Sequence, residues 1–191
     1  SGRAYNIICE LLGSNWYAVA ATVALGALAV CHIVYAFILT AQNRSARGAN
    51  RYEVTAKPEK VEWASQNMLV LGIIVLLGLA LHLFNFWYNM MFAELVGMRT
   101  VLEPTDGFGL IRATFQSKVY VILYVIWIVA LWYHLSHGFW SAMQTIGING
   151  KVWFNRWKVI GTVYVTLLML AFLVVVLAFA FGCAPSLHCA A

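Results

Sequence analysis

The stretch VYVILYVIWIVALWYHLSHGFWSAMQTIGING, Val119–Gly150, contains no Asp, Glu, Lys or Arg. Read as a helix rising 1.5 Å per residue, it outreaches the roughly 30 Å of hydrocarbon that about 20 apolar residues cross. Three further stretches lack the same four residue types: Leu11–Asn43, Trp63–Ala93 and Val159–Ala191. The spans within them are helix A (about 15–41), B (about 66–92), C (about 119–146) and D (about 159–181), none with an interior Pro. At this length only a helix satisfies its own backbone polar groups in lipid. The 191 residues are 63% hydrophobic and 10% charged, with a mean hydropathy of +0.81. A soluble domain carries about a quarter charged residues, and its core could not absorb this much apolar surface. The expected fold class is all-α, a polytopic transmembrane bundle with four spanning helices, residues 1–191 forming one transmembrane domain.

The charges fall between the spans. The A–B connection holds Arg44, Arg47, Arg51, Lys57 and Lys60, and the C–D connection holds Lys151, Arg156 and Lys158. The opposite side has Arg3, Arg99, Arg112 and Lys118, with Glu94, Glu103 and Asp106 against them. The positive-inside bias places the A–B and C–D loops in the cytoplasm. That bias accounts for the net charge of +5, and nucleic acid is not implied. There is no Cys-x-x-Cys pair, which speaks against a zinc site or a c-type haem attachment. Cys183 and Cys189, on the outer side, either form a disulfide in an oxidising compartment or remain as free or modified thiols. Ser1–Ser14 reads as neither a signal peptide nor a cytoplasmic terminus. The expectation is that a signal or a preceding helix lies upstream of it.

Three of the four spans carry histidine at depth: His32 in A, His82 in B, and His134 and His137 in C. An ionisable residue inside a membrane is costly and usually functional; the plain alternative is a neutral imidazole bonded to a neighbouring helix. Helices A and C run in the same direction, and His32 and His134 lie at similar fractions of their spans, so they can face one another. Helix B runs the other way, which sets His82 apart by roughly 10 Å along the membrane normal. Haem iron accepts two axial histidines from facing helices. A flat macrocycle needs small residues beside its ligands, and the same-face neighbours are Ala36 near His32, Gly78 near His82, and Ala130 and Gly138 near His134. Ordinary small-residue packing of membrane helices explains these as well. His137 shares a face with His134; one is the ligand and the other is left to a propionate, a carbonyl or nothing. His82 has no partner of its own in the chain, so a second haem requires a histidine from another helix. Zinc is disfavoured, because no Cys, Asp or Glu lies at these depths.

The segments HIVYAFILTAQNRSAR (32–47), LALHLFNFW (79–87) and WYHLSHGFWSAMQTIG (132–147) resemble the membrane cytochrome b subunit of succinate:quinone oxidoreductases and fumarate reductases, in particular the bacterial single-chain form with two haems. The resemblance covers most of the chain and is most specific at His134-x-x-x-Gly138, where the family's ligand is the His four before the Gly; it favours His134 over His137. The family form has five helices, and A to D match its second to fifth. The resemblance then implies an inner haem b held by His32 and His134, and an outer haem b held by His82 and a ligand outside this chain.

It further implies a membrane anchor that carries electrons between an iron–sulfur subunit and a membrane quinone, typically menaquinone, with a flavoprotein interconverting succinate and fumarate on the cytoplasmic side of a bacterial inner membrane. The family's quinone site lies near the outer haem with an acidic residue, for which Glu10 is preferred and Glu94 is second; a solvated interfacial carboxylate is the competing account. Asn85, Asn89 and Gln116 are candidates to bond a quinone carbonyl. Gln42, Asn43, Arg44 and Ser141 lie toward the inner haem and its propionates. Two alternatives stand beside this reading. One is the cytochrome b subunit of a hydrogenase or formate dehydrogenase. The other is a haem-free anchor or transporter whose histidines relay protons.

Overall fold

The computed structural model describes residues 2–13, 15–47, 62–148 and 150–182. Most of the basic A–B connection, and the tail with Cys183, His188 and Cys189 and its disulfide and free-thiol alternatives, lie outside the described residues. Helix follows helix, and no strand occurs among the described residues. The elements are α1 (Gly2–Leu12), α2 (Trp16–Arg47), α3 (Trp63–Gln66), α4 (Met68–His82), a π-helical segment (Leu83–Phe92), α5 (Ala93–Val96), α6 (Gly107–Phe115), α7 (Lys118–Thr145) and α8 (Lys151–Ala180). Among the described residues, four helices are long and apolar enough to cross a membrane: Trp16–Ala46, Met68–Val96, Lys118–Thr145 and Lys151–Ala180. The chain is therefore an all-α bundle of the expected kind.

The span limits shift where charge and helix part company. Helix D begins at Lys151, about two turns before the expected 159, because a helix continues past the membrane surface with Lys and Arg reaching water. The preceding turn closes at Gly147, whose φ of +84° suits a residue without Cβ, and Trp157 Nε1 donates to Ile148 O at 2.7 Å. Span B is not a single α-helix. It breaks at Asn67 and passes from α4 into ten residues of π-helix.

α7 and α8 pack along their length, and α4 packs on α7. Lipid is as apolar as the side chains, so close packing rather than hydrophobicity holds the spans together. Two glycines permit it. At Gly161 of α8, a Cβ would stand 2.5 Å from Phe139 Cδ1, and at Gly78 of α4 it would overlap the Trp127 indole. α2 differs: it has no close packing with any other spanning helix among the described residues, and only Ala18 of it is buried.

Two helices were not legible as such. Residues 94–118 read as a polar connection and Ser1–Ser14 as neither a signal peptide nor a cytoplasmic terminus, yet they contain α6 and α1. Asp106 caps α6, its Oδ1 accepting from Gly109 N at 3.0 Å, as an N-cap carboxylate does. The apolar face of α6 closes one end of the bundle, with Phe108 against Phe179 (5.2 Å) and Phe115 against Tyr124 (5.1 Å). Ile111 and Phe115 belong to the core with Tyr124, Ile128, Val165, Met169 and Val176. Asn6 docks α1 here: Nδ2 donates to Asp106 Oδ1 at 2.8 Å, and Oδ1 accepts from Phe108 N at 2.9 Å. Asn6→Ala is expected to release α1, with a loss of roughly 1–3 kcal/mol for two bonds made by a part-buried amide. Faster hydrogen exchange confined to Gly2–Leu12 would show it; unchanged exchange there would mean that lipid alone seats the helix.

Candidate functional site

Of the histidines, the structure brings His32 and His134 together. Their ring centres are 6.1 Å apart with planes at 83°. Two imidazoles that share a metal through nitrogens at about 2 Å each have ring centres about 6 Å apart. The helices that carry these histidines, α2 and α7, do not pack closely along their length. His134 Nδ1 is buried without a hydrogen-bond partner. Gly72 of α4 lies beside the same ring, where a Cβ would be 3.8 Å from His134 Cε1, and nothing lies within 4 Å of a Cβ built on Gly138. A paired, incompletely bonded imidazole set beside small residues and an open flank fits a planar group with two axial ligands. Among the described residues no cluster of three or more His, Cys, Asp or Glu could hold a metal ion.

His82 sits apart. It packs against Phe86, Tyr124 and Trp127 at ring-centre distances of 5.1, 6.2 and 5.4 Å, which places it about 10–15 Å from His134 along α7 at 1.5 Å per residue. The room expected beside Gly78 is filled by the Trp127 indole, which donates to Val75 O at 3.0 Å. A macrocycle does not fit on that face as the side chains stand. His82 Nδ1 is nevertheless buried without a partner, as is Trp87 Nε1 in the π-helical segment. π-helical turns gather at functional sites, and periodicity does not disclose them.

At the end of the bundle carrying the basic loops, Glu62 joins three elements. Lys158 Nζ of α8 donates to Glu62 Oε1 at 2.6 Å, and His137 Nδ1 of α7 lies 3.3 Å from Oε2. His137 is thereby engaged away from His134. Burial pushes the Glu62 carboxyl up, but the hydrogen bonds from Lys158 and His137 outweigh it and leave it below the usual carboxylate range. A folded pKa below the unfolded one adds stability that is complete above the unfolded value and lost as pH falls through the folded one. Wild type is expected to converge in thermal stability on Glu62→Gln as pH drops below about 4.3. The gap at pH 7 should be only about 0–1 kcal/mol, because the carboxylate is partly exposed. A gap that stays constant from pH 6 to pH 3 would refute an electrostatic clamp. Gln42, Asn43 and Arg44 are exposed on α2, and Ser141 is half-buried on α7 with its carbonyl accepting from Thr145.

The other candidates lie at the opposite end. Glu10 is exposed beside a shallow polar depression lined by Arg3, Asn6 and Asp106. Glu94 Oε2 closes on Gly13, where a Cβ would come within 2.7 Å. Both carboxylates therefore flank the end of α1. Asn85 is buried, donating to Tyr124 Oη at 3.3 Å, and Asn89 Nδ2 donates to the carbonyls of Phe84 and Asn85, each at 3.0 Å. Their amides serve the bundle and the π-helical backbone. Gln116 is exposed at the end of α6.

Sequence reasoning did not single out Glu62, Lys158, Ser136, Trp87 or Gly72. Glu62 and Lys158 had one legible signal, opposite charges bordering spans B and D. The others are distinguished only by what packs on them. Comparison with protein-family models, characterised proteins and solved structures finds no match for the chain.

Proposed function

We propose that the chain is a haem-carrying membrane subunit that moves electrons between an iron–sulfur partner and a membrane quinone, of the succinate dehydrogenase and fumarate reductase kind. The observation that carries the reading is the His32–His134 pair, 6.1 Å apart, on two helices that otherwise do not pack together. When bound, haem b would supply one-electron redox chemistry in the low-dielectric interior. His32 and His134 would hold it, Gly72 and Gly138 would leave it room, and the surrounding apolar side chains would exclude water. Gln42, Arg44 and Ser141 are the polar groups toward its propionates. The quinone would sit at the other end, near Glu10 and Glu94, with a proton exchanged through one of these carboxylates.

The basic A–B and C–D loops would face the cytoplasm, where a flavoprotein and an iron–sulfur subunit would dock on their charge. A second haem at His82 would need both a ligand from elsewhere and a displaced Trp127 indole. The experiment is purification from native membranes with spectra and partner identification. The reading expects b-type reduced-minus-oxidised bands, together with co-purifying flavin and iron–sulfur proteins that oxidise succinate or reduce fumarate. Bands with hydrogenase or formate dehydrogenase partners would replace the complex. Absence of bands would end the haem assignment and leave the histidines to proton relay.

A further inference from the structure

α1 precedes the first spanning helix and presents three different surfaces. At about 100° per residue, Gly2, Asn6 and Cys9 fall on one face. That face is the docked one. Gly2 is buried, Asn6 bonds Asp106 and Phe108, and Cys9 Sγ lies against Gly107, where a Cβ would come within 2.5 Å of it. Arg3 and Glu10, seven residues apart, share a flank. With Asn6, Thr105 and Asp106 they border a shallow depression, a polar surface suited to water. The rest of the circumference is apolar. Ile7, Ile8, Leu11 and Leu12 cover the side away from α6, and each is more than half exposed. Single exposed apolar residues are ordinary, but contiguous ones mark a contact surface.

What covers this surface follows from where α1 is held. Its last turn is tied to the start of the span Trp16–Ala46. Asn15 Nδ2 donates to Leu11 O at 2.6 Å, and the Tyr17 hydroxyl donates to the same carbonyl. From Leu12 to Trp16 the chain can reach at most about 14 Å. Gly13 lies against Glu94, near the end of the span Met68–Val96. Both tethers put α1 at the level where spans leave the hydrocarbon. Its apolar side continues the lipid-facing surface of α2, whose first residue, Trp16, is 82% exposed.

We infer that α1 is an interfacial helix whose Ile7, Ile8, Leu11 and Leu12 dock on phospholipid at the boundary between headgroups and acyl chains, with Arg3 and Glu10 toward water. Helices of this kind sink their apolar face roughly 5–10 Å into that boundary. The charges of Arg3 and Glu10 cancel, so apolar area holds the helix there rather than attraction to anionic headgroups. The inference goes beyond the electron-transfer reading and needs neither haem nor a partner subunit.

The test uses the full wild-type chain in phosphatidylcholine nanodiscs, with Ile and Leu methyl groups isotope-labelled and assigned. Three paramagnetic probes are compared: lipid with a nitroxide near the headgroup, lipid with a nitroxide near the chain end, and a water-soluble gadolinium chelate. The methyls of Ile7, Ile8, Leu11 and Leu12 are expected to lose most signal to the shallow nitroxide, less to the deep one and least to the chelate. The same losses are expected when phosphatidylglycerol is mixed into the disc. Greatest loss to the chelate would put the face in water. Loss to none of the probes would mean that protein covers it, whether residues 183–191 or a second copy. Equal loss to both nitroxides would deny the boundary position, and loss that requires phosphatidylglycerol would make the docking electrostatic. Each of these four results would overturn the inference. The expected pattern in a preparation that lacks b-type bands would leave it standing while removing the haem reading.

Discussion

On the haem reading proposed above, His134→Ala is expected to abolish b-type absorbance of the purified chain, and His32→Ala to do the same, while His82→Ala leaves most of it. The physical case rests on placement. The His32 and His134 rings are 6.1 Å apart, whereas His82 is enclosed by Phe86, Tyr124 and Trp127. Loss of residues that merely orient a metal's ligands already costs about 10- to 100-fold in affinity, so loss of an axial ligand should cost at least that much. A difference spectrum measured per mole of protein, alongside circular dichroism to show intact helices, reads the outcome. His137→Ala is the internal control, since His137 is engaged with Glu62 and should spare the band. Absorbance lost in His82→Ala but retained in His134→Ala would reverse the assignment.

Gly78→Ala is expected to destabilise the bundle by about 2–4 kcal/mol although it adds a single methyl. That methyl would overlap the Trp127 indole, and overpacking of this kind costs about 1–3 kcal/mol. The indole also donates to Val75 O at 3.0 Å, a bond worth about 1 kcal/mol that is lost when the ring moves. Detergent-denaturation midpoints, followed by far-UV circular dichroism, measure the effect. Trp127→Leu in the Gly78→Ala background should recover part of the loss, because neighbouring sites couple. If the two changes simply add, Trp127 is not what Gly78 accommodates. Gly138→Ala is the contrast: nothing lies within 4 Å of its Cβ position, and its cost should stay near the helix propensities alone, where Ala is favoured.

Sequence alone determined the membrane architecture. Four stretches without Asp, Glu, Lys or Arg leave a chain of this length no option but to span, since the cost of charge in hydrocarbon and of unpaired backbone polar groups is paid locally, residue by residue. The level of each histidine was legible for the same reason, because rise per residue is fixed; His32 and His134, expected at one level, do meet. Helix ends were less legible, since charge marks the membrane surface and not the end of a helix, and α8 starts at Lys151 accordingly.

Tertiary structure decided what surrounds those levels. Gly78 reads as room beside His82 until Trp127 is seen to occupy it. Glu62 acquires meaning only through His137 and Lys158, 75 and 96 residues away, and Ser136 and Trp87 through buried polar atoms with no hydrogen-bond partner among the described residues. The docking of α1 by Asn6 likewise follows from contacts between distant segments. Packing and pairing depend on which surfaces meet, and a single sequence carries no local signal of that.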